Sequence, residues 1–377
     1  MKVGVIGTGI LGASTAYHLA KSGVDVIMVD RDDIGKATDA GAGIICPWLS
    51  QRRNQRWYEL VRRGARFYRT LIPELQQLGV LNTGYEQVGA ISVHTDLNKL
   101  EKMRERVLLK KADAPEIGNI QMLHSNELKR LFPFLNDSYN GLFISGAARV
   151  NGKEVCQALV NGAIQYGAQF IEGDGSILTK DNVVTGVKVN DEVTYCDKVI
   201  VTAGAWAREL LKPLGLSFQV KPQRAQIVHL KFSHTEVDQW PVIITPTSKY
   251  ILGFQDGRVV VGSTYEDSNN YEPIISTKGQ NELLNVLEEV TPQLLDSHLL
   301  ETKIGFRPVV PDFLPVFGDV KQFRGLYAGN GLGATGLTAG PFLGSELAQY
   351  VQEKETTVDV EQYYLSETVI DETNGSI

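Results

Sequence analysis

The sequence predicts an α/β protein of two domains, the first built from parallel strand-and-helix units and interrupted twice by a second, α+β domain with an antiparallel sheet. Three observations carry this. The chain opens with two apolar runs, Val3 to Ile6 and Val26 to Val29, around a helix-spaced segment and the glycines Gly7, Gly9 and Gly12. The stretch 219–264 is β-rich, with "QIVHLKF", "YILGF" and "RVVVGST" as strands and "QDGR" as a hairpin turn. A second glycine-rich turn at 329–340 opens a last helix.

Each element has a local reason. The two apolar runs have the length and content of buried parallel strands. Between them, Ile10 to Lys21 repeats apolar residues at helical spacing and stops at Ser22-Gly23. In this strand, turn, helix, strand unit, Gly7 permits the turn, Gly9 lets the backbone approach a pyrophosphate, and Gly12 lets helix and strand pack closely. Phosphates would sit at the helix N-terminus, where free N–H groups and the dipole favour negative charge. Asp30, ending the second run, would accept hydrogen bonds from adenosine ribose hydroxyls. The combination points to an adenine dinucleotide; the alternative is a glycine turn that binds nothing.

Downstream, "GKATDAGAGIICPW" (35–48) is rich in small residues and suited to lie flat against a planar ligand. A long helix follows from Trp57 to Leu78, then a strand "GAISVHT" (89–95) and a charged amphipathic helix at 97–112. "NGLFISGAARV" reads as a strand feeding "NGKEVCQALVNGAIQYGAQFIEG", a helix with Val155, Leu159, Ala163 and Tyr166 on one side. "DKVIVTAGAW" (197–206) is another buried strand, and 277–290 is a helix. The tail from Glu353 is acidic and peripheral. The expected domain pieces are 1–82, 147–218 and 301–377 for the first domain, and 83–146 and 219–300 for the second. The second glycine turn brings another helix N-terminus to the ligand, which suits a dinucleotide with a second polar end.

Composition narrows the function. The 377 residues are 43% hydrophobic and 21% charged, with a net charge of -7, and suffice for two cores. Mild acidity and the lack of a basic block argue against a nucleic-acid surface; "QRRNQR" (51–56) and "LLKKAD" (108–113) read as solvated helix faces. Cys46, Cys156 and Cys196 are odd in number and far apart, which fits reduced thiols, and none stands at metal-ligand spacing from a histidine. A first strand starting at residue 2 or 3 leaves no room for a signal peptide, and no apolar run approaches the ~18 residues of a membrane span. The expectation is a soluble cytoplasmic protein without a metal.

With these motifs in hand, the chain resembles the flavoenzymes of the D-amino-acid oxidase family, especially its glycine oxidase and bacterial D-amino-acid dehydrogenase branches. The resemblance covers nearly the whole chain. It rests on "GVIGTGILGASTAYHLAKSGVDVIMVDR", "VIVTAGAWA", "GRVVVGST", "GFRPVVPDFLPVFG" and "GNGLGATGLTAGP". It implies a Rossmann-like FAD-binding domain and an antiparallel sheet roofing the flavin. Implied FAD contacts are Gly7, Gly9, Ile10, Leu11 and Gly12 in the first turn, then Asp30, Arg31 and Thr38, and Gly43, Ile44 and Ile45. Ala203, Gly204, Trp206, Gly305 and Arg307 follow. The last set runs through Gly331, Leu332, Gly333, Ala334, Thr335, Gly336, Leu337 and Thr338.

The same resemblance implies that Arg307 holds a substrate carboxylate, as a guanidinium fork can do bidentately. Tyr250 in "KYILGF" would add its hydroxyl, although the family strand carries a proline that "ILGF" lacks. Main chain near Gly333 and Ala334 would stabilise negative charge at the pyrimidine end of the reduced ring. Covalent attachment in related enzymes needs a late cysteine; here the last is Cys196, so FAD is expected to be non-covalent. None of the six histidines stands out: His18 reads as packed in the first helix, and His94, His124, His229, His234 and His298 as strand or loop residues. The implied reaction is hydride transfer from the α-carbon of a small amino acid (glycine, sarcosine or a D-amino acid) to flavin N5, yielding an oxo acid. Oxygen or a quinone would take the electrons, and a homo-oligomer is possible. Alternatives are a 2-hydroxy-acid or glycerophosphate-type dehydrogenase and a flavin-binding subunit of a heteromeric oxidase.

Overall fold

The computed structural model describes residues 1–371 apart from 234, 269, 366 and 367; His234 and the end of the tail thus lie outside the described residues. Strand Lys2–Ile6 sits inside a six-stranded sheet, parallel to Asp25–Asp30 on one side and Lys198–Val201 on the other. Gln169–Glu172 and Leu326–Asn330 extend it in parallel, and Val316–Asp319 closes one edge antiparallel.

Alternate side chains of these strands go to opposite faces, as a pleated strand requires. Val26 and Met28 join the cluster under helices Ile10–Lys21, Gln55–Gln77, Gly152–Gln165 and Gly336–Val351. Ile27 and Val29 face Val184, Val187 and Val189 of a three-stranded antiparallel layer, Gly175–Lys180, Val183–Val189 and Glu192–Tyr195. That layer was not anticipated from sequence. A second difference lies beside it: the helix expected to run on to 173 stops at Gln165, and Gln169–Glu172 is an edge strand. Gly167, at φ 94°, ends the helix in a left-handed conformation that other residues adopt at a cost. Tyr166 therefore caps the helix, its ring 5.9 Å from that of Tyr17.

The second sheet has nine strands. Lys221–Lys231 pairs along its length with His298–Val309 and, on its other edge, with Arg258–Gly262 and the short Glu266–Asp267. Tyr250–Gly253, Val242–Ile244, Ala90–His94, Asn140–Ile144 and Ile120–Leu123 continue the order. This sheet is mixed where an antiparallel one was expected, because Val242–Ile244 runs parallel to Ala90–His94. The two come from separate pieces of chain, and no hairpin forces them antiparallel. The strand His298–Val309 spans the expected boundary at 301 and is hydrogen-bonded in this sheet. Its far end carries Arg307 towards the first sheet.

Candidate active site

A cavity of about 580 Å³ opens at the carboxyl ends of the parallel strands, with the nine-stranded sheet above it. The first turn shows three distinct uses of glycine. Gly7 has φ 94°, and a Cβ there would lie 2.6 Å from the Ala203 Cα. A Cβ on Gly12 would stand 1.9 Å from the Gly7 carbonyl oxygen and 2.4 Å from the Thr202 hydroxyl. Both positions are closed by the protein itself. Gly9 is different: a Cβ there would meet only the Thr38 hydroxyl, at 3.3 Å, so the space beside it belongs to the cavity. Gly9 provides no side-chain cap to helix Ile10–Lys21; among the described residues Ile10 N–H donates to Thr38 Oγ1 at 3.0 Å and Ala13 N–H to the Gly9 carbonyl at 2.9 Å, which leaves those of Leu11 and Gly12. The remaining first-turn amides are free to meet a phosphate.

Asp30 ends its strand on the cavity wall. Its carboxylate accepts from the Thr8 hydroxyl (2.8 Å), the Thr8 N–H (3.1 Å), the Arg31 N–H (2.9 Å) and Lys36 Nζ (3.3 Å). It is thereby fixed in orientation. Arg31 turns to Asp33 and Asp174, and those carboxylates raise its pKa further, against desolvation. The open glycine position, the uncapped helix start and the anchored carboxylate together fit an adenine dinucleotide.

Most of the cofactor positions nominated from sequence line this one cavity. Gly7, Gly9, Ile10, Leu11, Asp30, Arg31 and Thr38 do so, as do Gly43, Ile44, Ala203, Gly204 and Trp206. So do Gly305, Arg307, Leu332, Gly333 and Ala334, with Gly336, Leu337 and Thr338 from the last helix. Four stand off the wall. Gly12 packs against the first turn, Ile45 is buried, Gly331 abuts the Val310 side chain, and Thr335 returns its hydroxyl to the Leu332 carbonyl.

The roof carries polar and aromatic side chains on the cavity wall, Arg307, Tyr250 and Tyr265. On strand His298–Val309, Ile304 and Phe306 lie on one face and Gly305 and Arg307 on the other. Phe306 is fully buried, edge-on to Trp206 and Tyr271, which pins the strand. The Arg307 guanidinium lies 4.5 Å from the centre of the Tyr265 ring. Its Nη2 donates to Ser263 Oγ at 2.6 Å, while its Nη1 is buried without a partner among the described residues. A buried, unsatisfied guanidinium nitrogen is costly, and the residue that carries it lines the cavity. Tyr250 is reached from the neighbouring strand, where its partner Gly262 leaves room: a Cβ there would be 2.7 Å from the tyrosine hydroxyl. Desolvation raises the Tyr250 pKa above its ordinary value, with Arg307 and Ser263 pulling the other way, so the hydroxyl stays a donor.

Sequence reasoning missed Ser248, Tyr265, Lys36 and the segment Gly173–Ile177, all on the cavity wall, and Ser263 behind Arg307. Tyr265 directly follows the quoted "GRVVVGST", so extending that motif by one residue would have found it. Gly173–Ile177 belongs to the unanticipated antiparallel layer. No described histidine lines the cavity.

Comparison with known proteins agrees with this construction. Residues 2–350 match the family model described as FAD dependent oxidoreductase (DAO). The chain is 52% identical to the uncharacterized oxidoreductase YurR of Bacillus subtilis (strain 168), over 95% of this chain and 97% of that one. It is 28% identical to a glycine oxidase of Pseudomonas aeruginosa, over 96% and 98%. Among solved structures, the iminodiacetate oxidase of Chelativorans sp. BNC1 superposes with a TM-score of 0.93 at 41% identity, covering 96% of this chain and 98% of that one. The cradle for a dinucleotide and the match over almost the full length lead to one assignment: the chain belongs to the DAO family of FAD-dependent oxidoreductases.

Proposed function

We propose that this flavoenzyme oxidises the carbon–nitrogen bond of a small amino acid, with N-substituted glycines of the iminodiacetate type as first candidates. The single observation behind the carboxylate is Arg307, a guanidinium on the cavity wall whose Nη1 has no partner among the described residues. A carboxylate arriving beside it supplies the counter-ion of that guanidinium. The likeness to iminodiacetate oxidase supports the amine.

When bound, FAD supplies the acceptor for the hydride that leaves the substrate carbon. The chain's own residues do the rest. Arg307 fixes the carboxylate, the Tyr250 hydroxyl donates to it, and the Tyr265 ring holds the guanidinium from its face. The carboxylates on the cavity wall among the described residues are Asp30, Asp33, Asp174 and Glu209. The first three gather around Arg31 and Lys36, and Glu209 lies on the short helix after Trp206. Among the described residues, no acid or histidine lines the cavity beside Tyr250 and Arg307. The amine therefore receives no counter-ion and reacts neutral, without a protein base. It follows that kcat/KM rises with pH through the substrate amine's own pKa and then levels. An alcohol substrate would need a base, and none stands beside Arg307 among the described residues.

The test is anaerobic flavin bleaching by the purified chain with iminodiacetate, sarcosine, glycine, D-alanine, L-proline and glycolate. Bleaching by one or more of the amines, with product release and no partner protein, is the expected result. Bleaching by glycolate alone would replace the amine reading with a hydroxy-acid one. No reduction until a second protein is added would make the chain a subunit.

A further inference from the structure

Arg307 is held from behind by a chain of contacts that no cofactor or substrate group requires. Its Nη2 donates to the hydroxyl of Ser263, a residue with 1% of its surface exposed. The carbonyl of the same serine accepts from Lys249 Nζ at 2.7 Å. Lys249 is itself buried and forms an ion pair with Glu282 on helix Thr277–Val290, whose side chain is 43% exposed. The Lys249 ammonium also lies 5.6 Å from the centre of the Tyr265 ring, the ring that carries Arg307. A buried lysine is expensive unless it is paired and hydrogen-bonded, and both of its partners lead outward or to Ser263.

From this geometry we infer that Ser263 is a positioning residue for substrate binding, and that the Lys249–Glu282 pair holds Ser263 in place. The inference rests on the reading of Arg307 as carboxylate anchor. A guanidinium carries five N–H donors in a rigid plane. Ser263 takes one from Nη2 and fixes the plane's rotation on the cavity wall, leaving the other N–H groups of the fork for a carboxylate. Tyr265 holds the same plane from its face by a cation–π contact. Without the serine hydroxyl, the fork has to be ordered at each binding event, and affinity for carboxylates falls while the chemistry on bound substrate does not.

The experiment uses holoenzyme and acetate as a carboxylate probe, followed by the perturbation of the flavin absorbance. Anaerobic reduction by the best amine from the screen is measured in parallel. Ser263→Ala is expected to raise the acetate Kd about tenfold, the scale of one charge-assisted hydrogen bond. KM should rise in step, the limiting reduction rate should stay within about twofold, and FAD content should not change. Ser263→Thr, which keeps the hydroxyl, should recover most of the affinity. Glu282→Gln, at a half-exposed position that does not endanger folding, should raise the acetate Kd about two- to fivefold. Unchanged or tighter acetate binding in Ser263→Ala, a threonine variant no better than alanine, or an unchanged Kd in Glu282→Gln would each overturn the inference. Arg307→Ala separates the two readings. If it abolishes acetate binding while Ser263→Ala does not weaken it, the anchor stands and the positioning role falls. If Arg307→Ala binds acetate normally, the anchor reading falls and the inference with it.

Discussion

The floor and the roof of the cavity are built by different means. The floor is main chain: glycines at 7, 9 and 12, a helix start without a side-chain cap, and one carboxylate at a strand end, all within the first thirty residues. The roof is side chains. Arg307, Tyr250, Ser263 and Tyr265 come from strands and turns of the nine-stranded sheet and meet only through its register. Changes in the floor should therefore act on the cofactor and the fold, and changes in the roof on substrate alone. A region whose shape is main chain tolerates almost no added atoms. A region made of side chains can be retuned one group at a time.

Four substitutions, with a fifth as internal control, press on that division, the four in falling order of effect. Gly12→Ala places a methyl 1.9 Å from the Gly7 carbonyl oxygen, where only backbone can give way. It should cost more than about 3 kcal/mol of stability and yield protein without flavin. Gly9→Ala is the internal control: its methyl meets only Thr38, so apoprotein thermal unfolding should stay near wild type while FAD affinity falls. Should the two variants behave alike, the separate roles of the glycines are wrong.

Arg307→Ala should lose about 2–5 kcal/mol of substrate affinity at normal FAD content, and lysine should rescue poorly, a point charge in place of a fork. Asp30→Ala belongs to the floor. It should weaken FAD by about 1–3 kcal/mol, measured by titrating apoprotein, and leave the KM of the flavin-saturated enzyme unchanged. Tyr250→Phe is the mildest, raising KM several-fold for the loss of about 1 kcal/mol. Because the Tyr250 pKa is raised, its proton is held well into alkaline solution. The ratio of wild-type to phenylalanine KM should then be flat across roughly pH 7–9. A ratio collapsing within that window would mean that Tyr250 ionises there.

The same division explains what could be read from the sequence. The first turn was readable because its three glycines, helix and Asp30 are near neighbours in the chain and each has a stereochemical reason. Arg307 was found through the resemblance, on the motif "GFRP", yet nothing local announces that Ser263 or Lys249 stands behind it. The Ser263–Arg307 bond joins residues 44 apart in sequence and the Lys249–Ser263 bond residues 14 apart, and neither spacing signals a contact. The layer Gly175–Tyr195 was passed over because its two outer strands are half-exposed and weakly apolar. The parallel pairing of Val242–Ile244 with Ala90–His94 has no local signal at all, since either direction satisfies the same apolar pattern.

The central claim, that floor and roof serve cofactor and substrate separately, is tested most directly by anaerobic reduction of wild type and Arg307→Ala at equal flavin content. Both are titrated with the amine that reduces wild type best. The account predicts full FAD occupancy in both proteins, bleaching in wild type, and no bleaching in the variant at concentrations that saturate wild type. Equal bleaching in the two proteins, or a variant that has lost its flavin, would contradict it.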